Sequence, residues 1–295
     1  MLGKLIKHDF KSLSRVLIPT NLAVLAATII MTIGIAFNVK DGINAAIQTG
    51  GLGFLRAITI LISVIMGIAI FAALFLVAFI IFQRFYKSFM SDEGYLTFTL
   101  PVSTSQLLFS KLITAMLWTI ISSVVIFICV NILILFGTES HGIINTEAYS
   151  EFSKMIHEAF ATFGGRLIWP MIEFVLFMLV GTACSILHVY LALIIGGVVS
   201  QKHKILAGIG FYFVINIAVS IISTIAQYII GDSMVRTMNS FDGKVWGPND
   251  AVEAFNFIIS AAQPYYWFYF FFTLAITATF FLLSRYFLKN KLNLE

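Results

Sequence analysis

The sequence predicts an all-α integral membrane fold with six transmembrane helices, and three observations predict it. Of its 295 residues, 60% are apolar and only 11% are charged, against about 25% charged residues in an average soluble domain. Six uncharged runs of 24 to 31 residues divide the chain, and a helix needs roughly 20 mostly apolar residues to cross a hydrocarbon core about 30 Å thick. Lysine and arginine also fall unevenly on alternate loops, the signature of membrane topology. A mean hydropathy of +0.98 agrees, and excludes a soluble enzyme, a secreted disulfide scaffold and a disordered chain. A β-barrel would need shorter, alternating segments.

The N-terminal segment comes first. In residues 1–15, Leu2, Leu5, Ile6, Phe10 and Leu13 recur at helical spacing with Lys4, Lys7, His8, Lys11 and Arg15 between them. This predicts an amphipathic helix lying in the interface, with the chain turning into the first span near Pro19. The stretch is too polar for a cleavable signal, and the first span is too long for a signal-peptide core. Spans are expected at about 16–38, 57–83, 112–137, 168–199, 206–231 and 266–288, all within a single transmembrane domain over 1–295. Segment 84–111 would be a cytoplasmic connection, and 139–166 and 232–265 would be external loops. Twelve of the 18 basic residues lie on the side that holds both termini; the other side holds six, with nine acidic residues beside them. Both termini are therefore expected in the cytoplasm. The net charge of +4 reflects this topology and calls for no nucleic-acid partner. Cys129 and Cys184 both fall inside spans, so neither a disulfide framework nor a thiolate metal site is indicated.

The external loops carry helical signals of their own. Phe152, Met155, Ile156, Phe160 and Phe163 share one face, with Glu151, Lys154 and Glu158 opposite, which predicts an amphipathic helix on the outer surface or on neighbouring spans. Farther on, Asp250 and Glu253 form a capping pattern. The apolar stretch 255–262 beyond it, stopped by Pro264, is too short to cross and is expected to be interfacial or re-entrant.

The connection between the second and third spans is the most informative segment. Asp92 and Glu93 are the only acids in an interhelical cytoplasmic loop, and Tyr95, Leu96, Phe98 and Leu100 place large apolar groups where solvent would be expected. Pro101 breaks the segment, and Ser103 or Thr104 can cap the next helix. An exposed apolar patch beside charge fits a protein contact, and equally an interfacial helix on lipid headgroups.

An acid, a glycine, an apolar stretch, Pro-Val-Ser and Leu-Leu-x-x-Lys succeed one another here as Glu93, Gly94, 95–100, Pro101-Val102-Ser103 and Leu107-Leu108-Phe109-Ser110-Lys111. In this motif of about 20 residues, and in its six-span layout, the chain resembles the permease subunit of bacterial type-2 ABC exporters. One departure is that the acid stands directly beside Gly94, where many members place several residues between them. The resemblance implies a coupling helix between spans two and three that docks on a cytoplasmic ABC ATPase subunit. Tyr95, Leu96 and Phe98 would fill a groove on that subunit, and Asp92 and Glu93 would pair with its basic residues. It implies two ATPase copies, a second permease subunit, identical or homologous, and a bacterial plasma-membrane location. ATP and Mg would be bound by the ATPase and no cofactor by this chain, which has no Gly-x-x-x-x-Gly-Lys-Ser/Thr loop.

Enzymatic readings find no support in the motifs. His-Glu-x-x-His is absent and the five histidines are scattered. Gly231-Asp232 matches a fragment of a membrane aspartyl-protease motif without its remainder, and reads as a helix end. Two features inside the membrane are candidates for a translocation pathway. Glu173, after Trp169-Pro170, is an intramembrane acid and thus a functional candidate; its place near the outer interface also lets it reach water or pair with Arg166. Asn216, Ser220, Ser223, Thr224 and Gln227 form a polar stripe on one face of the fifth span, expected to turn away from lipid as a pathway lining or as interhelical hydrogen bonding. Gly181-x-x-x-Ser185 and Gly196-x-x-x-Ser200 permit close helix contact. The expected function is therefore ATP-driven export of an amphipathic or hydrophobic substrate, such as an antimicrobial peptide, a drug or a lipid-like molecule. A non-transporting sensor or immunity protein that binds peptides through its external loops, and an ion-coupled carrier, are the alternatives.

Overall fold

The computed structural model describes residues 2–49, 52–91, 94, 101–137, 146–200, 202–241 and 251–290. Among them nearly every residue is helical and none lies in a strand. The helices are α1 (Leu2–Thr49), α2 (Leu52–Met90), α3 (Thr104–Gly137), α4 (Thr146–Phe163), α5 (Ile168–Val199), α6 (Lys204–Phe241) and α7 (Ala251–Asn290), with a 3-10 turn at Gly164–Leu167 between α4 and α5. Six helical stretches are long and apolar enough to cross a membrane: Leu2–Ile30, Phe71–Met90, Thr104–Ile132, Ser153–Val199, Lys204–Tyr228 and Phe255–Asn290. By length and composition this is a multi-pass α-helical membrane protein.

Two elements differ from the sequence expectation. Residues 1–15 show the expected division, with Lys4, Lys7, His8, Lys11 and Arg15 exposed and Leu13 buried. They nevertheless continue into the first span as one helix that contains Pro19. A proline inside a helix removes the donor for the carbonyl four residues earlier. Arg15 and Pro19 are both exposed, so that carbonyl can be solvated and the helix continues. The stretch 255–262 likewise forms no separate re-entrant helix, because α7 runs through Pro264 for 40 residues. At about 1.5 Å per residue it is about 60 Å long, twice the hydrocarbon thickness. Pro264 is exposed within it, so the carbonyl it frees can be solvated, as at Pro19. Helix α5, by contrast, runs from Ile168 to Val199, although the apolar stretch long enough to cross a membrane reaches back to Ser153. The glycine pair after α4 explains its start: Gly164 has φ +47°, a left-handed conformation that strains a residue with a Cβ.

The chain divides into two compact units, one of Met1–Phe85 and Ile113–His157, the other of Tyr86–Leu112 and Glu158–Glu295. In the first, α1 meets α3. The Asn21 side-chain amide donates to Ser122 Oγ at 3.0 Å within the buried core, and Phe10 stacks on Trp118 at 4.9 Å. The buried face of α2 recurs every four residues through Ala73, Val77, Ile81 and Phe85, the spacing of a single helix stripe.

In the second unit α5 is central and packs against both α6 and α7. His188 of α5 stacks on Tyr212 of α6 at 4.6 Å and lies 5.4 Å from Phe280 of α7. At the far end of α5 the backbones of α5 and α6 touch. A Cβ on Gly196 would lie 2.5 Å from Gly208 Cα and 2.9 Å from the Lys204 carbonyl oxygen, so only glycine fits. A Cβ on the neighbouring Gly197 would meet Met90 Sδ at 2.6 Å. Of the two small-residue motifs, Gly196 thus serves packing within the chain, whereas a Cβ on Gly181 would meet nothing within 4 Å.

Candidate functional site

Two places concentrate the sequence candidates. The first is the junction around the α2–α3 connection. Asp92, Glu93, Tyr95, Leu96 and Phe98 lie outside the described residues; their flanks do not. Helix α2 ends at Met90, whose carbonyl has no in-helix donor. Lys204 Nζ, at the start of α6, donates to it at 3.2 Å, and a lysine there also complements the negative end of the α2 dipole. Ser91 Oγ donates to the Lys87 carbonyl at 2.6 Å, and the buried Gly94 donates its N–H to the Ser91 carbonyl at 2.7 Å. On the other flank, Ser103 caps α3 as expected. Its Oγ accepts from the Gln106 N–H, and Gln106 Oε1 accepts from the Ser103 N–H, both at 3.4 Å. This reciprocal pair is a capping box. Phe109, one turn later, meets Phe281 of α7 edge-on at 6.2 Å. The connection is thus held at both ends by the helices of its own unit, through Lys204, Gly197 and Phe281. No sequence motif announces Lys204 as the partner of Met90, because the two are 114 residues apart.

The second place is the N-terminal part of α5. Glu173 is only 6% exposed and lines a cavity of about 250 Å³ with Phe174 and Phe177 of α5 and Ile259, Gln263 and Tyr266 of α7. Its Oε1 is enclosed and has no hydrogen-bond partner. Of the two outcomes its position allows, reaching water or pairing with Arg166, the pair does not form, and Arg166 is exposed. The Tyr266 hydroxyl instead donates to the Glu173 backbone carbonyl, tying α7 to α5 beside the acid. Gln263 and Tyr266 carry no sequence signal of their own. They join the site because α7 packs on α5, one turn apart across Pro264.

The polar stripe of α6 lies open on the surface of the chain. Asn216, Ser220, Thr224 and Gln227 are exposed, and Ser223 is half-buried. Thr224 donates to the Ser220 carbonyl of its own helix at 2.8 Å. Ser220 and Thr224 line an open groove of about 340 Å³ with Ile217, Ile221 and Ile225. This face of α6 stays uncovered while the helix packs against α5 and meets α7 only slightly. The stripe and Glu173 are therefore separate features. Among the described residues no group of three or more His, Cys, Asp or Glu side chains could hold a metal ion, and Cys129 and Cys184 are free thiols.

No protein-family model, curated protein or solved structure matches this chain.

Proposed function

We propose that the chain is the transmembrane permease subunit of an ATP-driven ABC exporter in a bacterial plasma membrane, with both termini cytoplasmic. A separate cytoplasmic ATPase, present in two copies, would power it, and it would work beside a second permease subunit. The observation that carries the reading is the junction at the end of α2. The connection bearing Asp92, Glu93, Tyr95, Leu96 and Phe98 is flanked by Met90, which Lys204 and Gly197 grip, and by the Ser103–Gln106 cap of α3. A segment that transmits displacement to membrane helices needs rigid ends, since a loosely held loop would dissipate the movement before it reached them. ATP binding would draw two such segments together and rock the permeases between inward- and outward-facing states. The uncovered polar stripe on α6 supports a pathway or a subunit contact, because a polar face left to lipid is unfavourable. The cargo would be amphipathic or hydrophobic.

The test is the double substitution Glu93→Ala with Leu96→Asp in the chain co-purified with its ATPase. Substrate-stimulated hydrolysis and transport should both fall to background while the protein stays folded. Normal transport by the double variant overturns the assignment. Peptide binding with no ATPase partner and no transport would instead support the sensor reading.

A further inference from the structure

We infer that the cavity between α5 and α7 is a cation-recognition site that takes the ammonium end of an amphipathic organic molecule. The first ground is the acid itself. Glu173 is held away from water, one carboxylate oxygen has no partner, and Arg166, seven residues away, is exposed and forms no pair with it. A buried carboxylate oxygen without a partner calls for a counter-cation or a donor, since an uncompensated buried charge is strongly unfavourable. The second ground is what surrounds it. Tyr266 commits its hydroxyl hydrogen to the Glu173 backbone carbonyl, so it does not serve the carboxylate. Its ring, 6.1 Å from Phe177, instead forms an aromatic wall that continues through Phe270, stacked at 6.1 Å. Aromatic faces attract ammonium groups, most strongly where water is excluded. Gln263 adds an amide oxygen that can accept from an N–H donor.

The size of the cavity defines the ligand further. About 250 Å³ lies just below the usual range for small-molecule sites, roughly 300–1,000 Å³. It admits a headgroup-sized fragment, and a longer molecule must leave its apolar remainder outside. Phe174, at the cavity wall, is 59% exposed and offers that remainder an apolar surface in the membrane. Lipid headgroups and free amphipathic amines share this chemistry. The inference deepens the pathway reading of Glu173 and rests on it, but it requires no ATPase.

The experiment uses the full chain in nanodiscs of phosphatidylglycerol, which carries no ammonium group, with radiolabelled benzyltrimethylammonium as probe. Saturable binding is expected above that of empty discs, and neopentylbenzene, the neutral isostere, should fail to compete. Glu173→Gln keeps the shape of the side chain and should weaken binding at least tenfold. Should that variant fold poorly, the unmodified protein supplies the answer through carbodiimide labelling of Glu173, read by peptide mass. Saturating benzyltrimethylammonium should protect the residue. Weaker probe binding in phosphatidylcholine discs identifies a lipid headgroup as the natural occupant, and equal binding in both identifies a free amine. No saturable binding, wild-type affinity in Glu173→Gln, or labelling unaffected by the cation each overturns the inference. A chain that fails here yet couples to an ATPase leaves the exporter proposal standing.

Discussion

Replacing Gly196 by alanine should be among the most damaging single-methyl changes in the protein. The added Cβ would stand 2.5 Å from Gly208 Cα and 2.9 Å from the Lys204 carbonyl oxygen, where carbon atoms ordinarily keep about 3.5–4.0 Å. Both obstacles are backbone, so no rotamer change relieves them, and α5 and α6 must part by about 1 Å. Overpacking a well-filled site costs about 1–3 kcal/mol, and a contact between two backbones belongs at the upper end, about 3 kcal/mol. For a chain of this size, 1 kcal/mol corresponds to about 2–4 °C in Tm, so a fall of about 6–12 °C is expected. Cys129 is buried and Cys184 half-buried, so thermal unfolding can be followed with a thiol-reactive fluorophore on the detergent-solubilised protein. Gly210→Ala is the control. Nothing lies within 4 Å of its Cβ position, and alanine favours a helix interior by about 0.5–1 kcal/mol over glycine; it should be neutral or stabilising. A Gly196→Ala Tm within about 2 °C of wild type, on the order of 0.5–1 kcal/mol, would refute the close approach of these helices.

The packing sets two further outcomes. His188→Ala removes the stack on Tyr212 and the tilted contact with Phe280, each worth about 0.5–1.5 kcal/mol, whereas His188→Phe keeps both and deletes an enclosed, unpartnered Nε2. The phenylalanine variant should melt at or above wild type and the alanine variant below it, and equal losses would contradict the stack. Asn21→Val alone leaves Ser122 buried without its partner and should cost about 1–3 kcal/mol. Adding Ser122→Ala should recover part of this in a double-mutant cycle, and strict additivity would count against the bond.

Much of the fold was legible because membrane insertion selects on composition, which any stretch of sequence displays. The uncharged runs anticipated six helices long and apolar enough to cross a membrane, and Gly164 and Gly165 stand just before α5 and Ser200 just after it. Local chemistry was legible for the same reason: Ser103 needs only Gln106, three residues on, to cap α3. The continuity of α1 through Pro19 and of α7 through Pro264 was not legible, since a proline stops a helix or is carried inside it according to what solvates the freed carbonyl.

What the sequence by itself determined is the inventory: six apolar helices, a basic and amphipathic start, an acid beside Trp169-Pro170 and a polar stripe from Asn216 to Gln227. Only the tertiary structure decided what these groups meet. It placed Lys204 on the Met90 carbonyl, set Gly196 against Gly208, and left Glu173 facing an aromatic cavity with Tyr266 and Gln263 instead of pairing with Arg166. The physical reason is range. Insertion and capping act within one helix and can be read along it, whereas contacts between helices depend on rotation and approach.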